Sequence, residues 1–185
     1  MKPHPAVNAS RIRRGFTMIE MLTVVAIILI LASLLLPHVI KFVKTAKNRV
    51  AEAESRAIVN ALKSYRTVYR RWPGQTSGDA DRTFGDPDSF TPELQDHALI
   101  IAALTNNPRN TVFIELKPEM LSDDGFTFID PWGAPYYITM DENEDGALSI
   151  ETPEGNFEVR GENVGVISEA SDPANTNKWI LSWIQ

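Results

Sequence analysis

The chain has 185 residues, a formal net charge of −6 at pH 7 and no cysteine. That length suits one domain with an appendage and falls short of two comfortable domains. The lack of cysteine excludes disulfide staples, lipid attachment through Cys and thiolate metal sites, and leaves the redox compartment open.

Charge and hydropathy are unevenly distributed. Residues 1–15 carry Lys2, Arg11, Arg13 and Arg14 with no acid, which leaves −10 for the rest of the chain. From Phe16 to Leu36 the sequence "FTMIEMLTVVAIILILASLLL" is apolar except for Glu20 and small hydroxyl residues. About 21 such residues span roughly 30 Å as a helix, the thickness of a bilayer's hydrocarbon core. The segment reads as a membrane anchor. Its basic flank stays cytoplasmic, which places the acidic bulk outside. An acidic outer part argues against nucleic acid as a partner, because neutralising phosphates requires clustered Lys and Arg.

The junction at Gly15 departs from an ordinary secretory signal. The apolar run is too long and no A-x-A-like site follows it. A small residue instead separates the Arg cluster from the apolar run. Cleavage after Gly15 would remove the basic leader and keep the anchor; without cleavage, the Arg cluster would simply set topology. Glu20 raises a second question, since a carboxylate at the centre of a membrane helix costs about 2.5–3.5 kcal/mol and less near the interface. It needs a partner, or it snorkels to the interface.

Pro37 removes one backbone donor, so a kink or local melting is expected there. Beyond it, Ala46, Val50, Ala53, Ala57, Ala61, Tyr65, Val68 and Trp72 recur at steps of three and four, the signature of one apolar helical stripe whose Ala positions suit close packing against a small sheet or neighbouring helices. "WPG" at 72–74 supplies the stop. A single helix from Phe16 to Arg71 would hold about 56 residues and extend about 84 Å. A coiled coil is disfavoured, because the stripe is Ala-rich and lacks sustained Leu/Ile heptads.

Residues 74–92 read as an extended surface loop, and "ELQDHALIIAALTNN" as a helix opened by Thr91 or Pro92. Six short runs then predict strands: "TVFIEL", "GFTFI", "PYYITM", "ALSI", "FEVR" and "KWILSWI". The expected fold class is α+β: a long N-terminal helix, half membrane-spanning and half amphipathic, packed on a small, mostly antiparallel sheet head. The expected organisation is a leader at 1–15, a hydrophobic helix at 16–37, a stem at 38–72 and a head at 73–185.

Within the head, "DENEDGALSIE" alternates Asp141, Asn143 and Asp145 before Gly146, as in the first half of an EF-hand-like loop. The Ala147 carbonyl would add a fourth oxygen for calcium. Thr152 stands where the closing Glu belongs, so a full EF-hand is not expected. A plain acidic hairpin fits the same residues. Trp132 is expected to pack on the stem, and Trp179 and Trp183 to share one face. His4, His38 and His97 show no metal or catalytic spacing. No nucleophile motif, P-loop or dinucleotide fingerprint is present, so no enzyme is expected.

The N-terminal pattern "RRGFTMIEMLTVVAIILILASLLLP" resembles the type IV pilin superfamily, including the pseudopilins of type II secretion. It places a basic leader, Gly15, Phe16, Thr17, Glu20, the apolar run and Pro37 in one register, and "DPWGAPYYI" at 130–138 extends the likeness more weakly. The resemblance implies that a prepilin peptidase cuts between Gly15 and Phe16 and methylates the new amine. It implies a mature subunit drawn from the bacterial inner membrane into a periplasmic or surface filament, with Glu20 matched to the Phe16 amine of a neighbouring subunit. An assembly platform and minor pseudopilins would be partners, and calcium would be held in the head. The alternative class is a non-polymeric single-span membrane protein with an acidic, calcium-binding module outside the membrane.

Overall fold

The computed structural model describes residues 15–76, 80–86, 89 and 92–183. The chain divides into two units, Met1–Phe42 and Val43–Gln185. The first unit contributes the apolar start of helix α1, which spans Met18–Tyr69. The helix runs through position 37 without interruption, so the local melting expected there does not occur. A proline removes only one rung of the ladder, and the bonds on either side carry the helix across. The Pro37 side chain lies outside the described residues. Nearby, His38 Nδ1 donates to the Leu34 carbonyl at 3.0 Å.

In the second unit α1 forms a stem whose buried stripe is Ala51, Ser55, Ile58, Leu62 and Tyr65, joined by Ala61. This corrects the expected stripe. Ala46, Val50, Ala53 and Ala57 are exposed in the single subunit, whereas Ala61, Tyr65 and Trp72 of the expected stripe are buried and Val68 is half-buried. Small residues do not mark a buried face by themselves, and the larger Ile58 and Leu62 decide the rotation. The stem ends as expected, with Arg70 in a left-handed conformation (φ 58) ahead of the "WPG" turn.

The main sheet is antiparallel, in the order β1 (Arg82–Phe84), β2 (Tyr137–Met140), β5 (Val164–Ser168), β6 (Ile180–Leu181). Register places Phe84 opposite Ile138, Met140 opposite Val164 and Ser168 opposite Ile180. Strands β3 (Ala147–Thr152) and β4 (Gly155–Arg160) form a separate hairpin. Period-two alternation sends the two sheet faces to different cores. Phe84, Ile138, Met140, Val164 and Val166 join Ile58, Leu62 and Tyr65 of the stem. Tyr137 and Ile167 instead meet Leu148, Ile150 and Trp179.

Several sequence expectations change. The predicted helix over 93–107 is two helices, α2 (Pro92–Gln95) and α3 (Ala98–Thr105). The break falls at Asp96–His97. His97 is wholly buried, its N–H donates to the Phe126 carbonyl and its Nδ1 accepts from Phe128 N–H, so it cannot continue a helix. "TVFIEL" is not a strand: Phe113 N–H bonds the Leu104 carbonyl, and its ring packs edge-on against Tyr65 and Tyr69. "GFTFI" contributes only isolated bridges, Leu121 to Phe128 and Ile129 to Pro135.

A polar clasp ties the segment after the stem to the end of β2. Trp72 Nε1 donates to the Asp141 carbonyl at 2.6 Å, and Gln75 Nε2 to the Glu142 carbonyl at 2.9 Å. Asp81 accepts from the backbone N–H groups of Glu142 and Ser149, both at 3.0 Å. The Arg82 guanidinium forks onto the Glu142 carboxylate, whose side chain has no exposed surface.

Candidate functional site

The N-terminal segment opens with Gly15, Phe16 and Thr17 ahead of the first helical residue, Met18. Gly15 is exposed, and a side chain added there would meet no atom within 4 Å. Phe16 is 75% exposed. Among the described residues nothing covers Gly15 or Phe16, and neither lies within the helix. Thr17 caps the helix, and Glu20 answers three positions on. Thr17 N–H and Oγ1–H donate to Glu20 Oε2 at 2.8 and 2.7 Å, and Glu20 N–H donates back to Thr17 Oγ1 at 3.3 Å. This is a reciprocal capping box, and it satisfies donors that a helix start leaves orphaned. The T-x-x-E spacing at 17–20 is the sequence signal for this cap, a local partner for Glu20 beside the expected neighbouring subunit or interface. Within the single subunit, Glu20 is held by its own first turn.

From Phe16 to Leu36 every side chain except Ala32 is exposed. An uninterrupted apolar surface of this kind needs lipid or other helices to cover it. Length and composition allow this helix to cross a membrane.

The acidic head loop folds as a tight turn between β2 and β3. Gly146 N–H donates to Asp141 Oδ2 at 3.3 Å, and Glu144 (φ 59) and Gly146 (φ 79) are left-handed. Asn143 Oδ1 accepts from Asp145 N–H, while Asp145 accepts from Ala147 N–H and from Asn143 Nδ2. Asp141 is 3% exposed, and its Oδ1 is buried without a partner. Burial, helped by the Asp81 charge, holds the Asp141 carboxyl above its usual range. Among the described residues, no three His, Cys, Asp or Glu side chains sit close enough to hold a metal ion together. A cation here would rely on Asn143 and the Ala147 carbonyl as well as on Asp141 and Asp145.

Trp132 does meet the stem, with Lys47 Nζ 5.7 Å from its ring centre and the ring packed against Ala51, Ala170 and Ile180. Trp179 and Trp183 share one cluster. His4 lies outside the described residues. A half-buried acid–phenol pair that spacing does not reveal joins the stem to the head: Tyr136 OH donates to Glu54 Oε2 at 2.8 Å, and burial raises both groups above their ordinary values.

The comparisons with known proteins agree with this geometry. A family profile described as a prokaryotic N-terminal methylation motif matches residues 10–36. Type II secretion system core protein G of Pseudomonas aeruginosa is 30% identical over 129 residues, 68% of this chain and 72% of that protein. The protein of the same name from Aeromonas hydrophila is 29% identical over 140 residues, 76% of this chain and 81% of its own length. Type IV major pilin protein PilA of Myxococcus xanthus is 46% identical over 52 residues, only 28% of this chain and 24% of that protein. No solved structure matches. A likeness of 129 residues is longer than the 52 residues of α1, so it extends into the head. The methylation motif falls on the capped, exposed helix and the wider likeness on the head: the chain belongs to the type IV pilin superfamily, as a major pseudopilin of the core protein G family.

Proposed function

We propose that this chain is the repeating structural subunit of a type II secretion pseudopilus. In this reading a prepilin peptidase cuts between Gly15 and Phe16 and methylates the Phe16 amine. The leader lies in the cytoplasm, the apolar helix in the bacterial inner membrane, and the head in the periplasm. Assembly transfers the apolar helix from lipid to a bundle of identical helices. The observation that carries the reading is the continuous exposed surface from Phe16 to Leu36, beginning at an open Gly–Phe junction and a Thr17–Glu20 cap. Lipid covers that surface in the single subunit and sister helices cover it in the filament. Glu20 then exchanges its local donors for the Phe16 amine of a neighbour, a pairing favoured once water is excluded. Assembly-platform and minor-pseudopilin contacts belong to the same reading.

Mass spectrometry of the mature protein and negative-stain microscopy of the overexpressed chain test this together. The expected result is an N-terminus at methylated Phe16 and filaments that Glu20→Ala abolishes while membrane insertion persists. An intact Met1 with no filaments would instead establish the single-span module.

The same reading extends to calcium at Asp141, Asn143, Asp145 and the Ala147 carbonyl. It is supported by the buried, unpartnered Asp141 Oδ1, while the turn's internal bonds support a self-sufficient hairpin. Calcium should raise the melting temperature and EDTA lower it, with Asp141→Asn insensitive to both. Identical melting with calcium and EDTA would leave the hairpin alone.

A further inference from the structure

The head carries two exposed features of opposite chemistry. The first is a groove of about 760 Å³ between the stem and the C-terminal segment. Its floor includes Phe157 and Trp179, whose rings lie 5.7 Å apart, and its rim carries Lys44, Arg49, Arg56 and Lys178 against a single acid, Glu52. All four cations are exposed. Arg49 bonds Glu52 at 3.2 Å and Lys178 bonds Asp172 at 2.6 Å, so the rim still holds excess positive charge. The chain is strongly acidic beyond its leader, yet this groove is basic on its stem side, as is the stem surface at Lys63, Arg66 and Arg70.

The second feature is the turn Ser122–Thr127. It presents Phe126, 55% exposed, beside the exposed Asp123 and Asp124. The turn is held rigid. Ser122 N–H donates to the Thr127 carbonyl at 2.8 Å, Thr127 N–H to Ser122 Oγ at 3.0 Å and Gly125 N–H to the Ser122 carbonyl at 2.8 Å. Asp124 Oδ1 accepts from Ser122 Oγ–H at 2.6 Å and from Phe126 N–H at 2.9 Å, and these bonds keep its carboxyl below the usual range. An exposed aromatic on a preorganised turn loses little freedom on docking, and aromatic anchors dominate interface energetics. No residue of the turn lines the groove.

We propose that the Ser122–Thr127 turn of one subunit docks into this groove on a second copy of the chain. Phe126 lies over the Phe157–Trp179 floor, and Asp123 and Asp124 face Arg49, Arg56 and Lys178. The proposal rests on the filament reading above. Every subunit carries both the turn and the groove, and two different patches meeting head-to-tail generate an open helical polymer. Charge complementarity commits the groove to another copy of this acidic chain and fixes the register of the contact.

The cysteine-free chain makes the test direct. Full-length Asp123→Cys and Asn177→Cys variants are co-expressed with different tags, and sheared filaments are oxidised and run without reductant. A disulfide-linked heterodimer is expected in filaments of the mixture and in neither variant alone. In parallel, Arg56→Glu and Asp123→Lys should each lower filament yield about tenfold, and the two substitutions combined in one chain should restore most of it. Filaments with no heterodimer, or single charge reversals that leave yield unchanged, would overturn the docking while leaving the filament reading intact. Absence of filaments from the parent chain would overturn the filament reading itself.

Discussion

Replacing Arg82 by Ala removes the donors that compensate a carboxylate with no exposed surface. Arg82 Nε lies 3.2 and 3.1 Å from the two Glu142 oxygens, and Nη2 lies 2.9 Å from Oε1. Nη2 also donates to the Gly74 carbonyl, and the guanidinium covers the Phe84 ring at 5.2 Å. Breaking a buried pair from one side costs about 3–5 kcal/mol, because the remaining charge is stranded. With a urea m-value of about 2 kcal/mol/M, a loss of about 4 kcal/mol moves the midpoint by about 2 M. Trp72, 1% exposed and bonded to the Asp141 carbonyl, reports the transition by fluorescence in detergent. The Arg82→Leu/Glu142→Leu double variant should recover most of the loss, since a buried pair and an apolar replacement are often close in energy. An Arg82→Ala midpoint within about 0.5 M of the parent would show that water screens the pair, and the reasoning would fail.

His97 supplies a pH prediction. Burial, only partly offset by the carbonyls of Tyr136 and Phe84, lowers its pKa to about 4. The folded value lies below the ordinary one, so its contribution is complete above about pH 6.5 and falls as pH drops toward 4. Between pH 7 and pH 5 the parent should lose about 2 kcal/mol more stability than His97→Gln in paired urea melts; parallel slopes would contradict this. Gly85 and Gly133 form a matched pair, at φ 91 and φ 90. An alanine at Gly85 would drive its Cβ into the Tyr136 carbonyl and to 2.6 Å from His97 Nε2, whereas at Gly133 it meets nothing within 4 Å. Gly133→Ala should cost about 1–2 kcal/mol of backbone strain and Gly85→Ala should prevent a stable head, as judged by thermal melts; equal effects would refute the steric account. Thr17→Val removes the cap hydroxyl and should weaken the first turn by about 1 kcal/mol, read as faster amide exchange at residues 18–21 in detergent.

The N-terminal half was legible because its signals are extreme: a membrane-length apolar run, a leader without acids, and a Gly–Phe junction in register with Glu20. The stem was found but rotated, because alanines were followed where Ile58 and Leu62 set the buried face. Strand β5 went unread because all five of its residues are buried, which leaves no alternation to see. Gly165, its second residue, looks like a breaker, yet a side chain there would come within 2.8 Å of Ile150 Cδ1, so close packing of the hairpin requires it. Strand β1 was hidden in a Gly/Asp-rich loop, since three residues carry too little pattern. His97 looked isolated in sequence because its partners, Phe126 and Phe128, are supplied by the fold.

The clasp between the segment after the stem and the end of β2 also bears on where the subunit can fold. Its contacts join residues 60 to 69 positions apart, closing a long loop of chain. A disulfide across such a loop would make that closure permanent, and would tie folding to an oxidising compartment and its enzymes. Here hydrogen bonds and one ion pair close it, in a chain with no cysteine to oxidise. The head can therefore form, open and re-form without disulfide chemistry, and its closure does not depend on redox state.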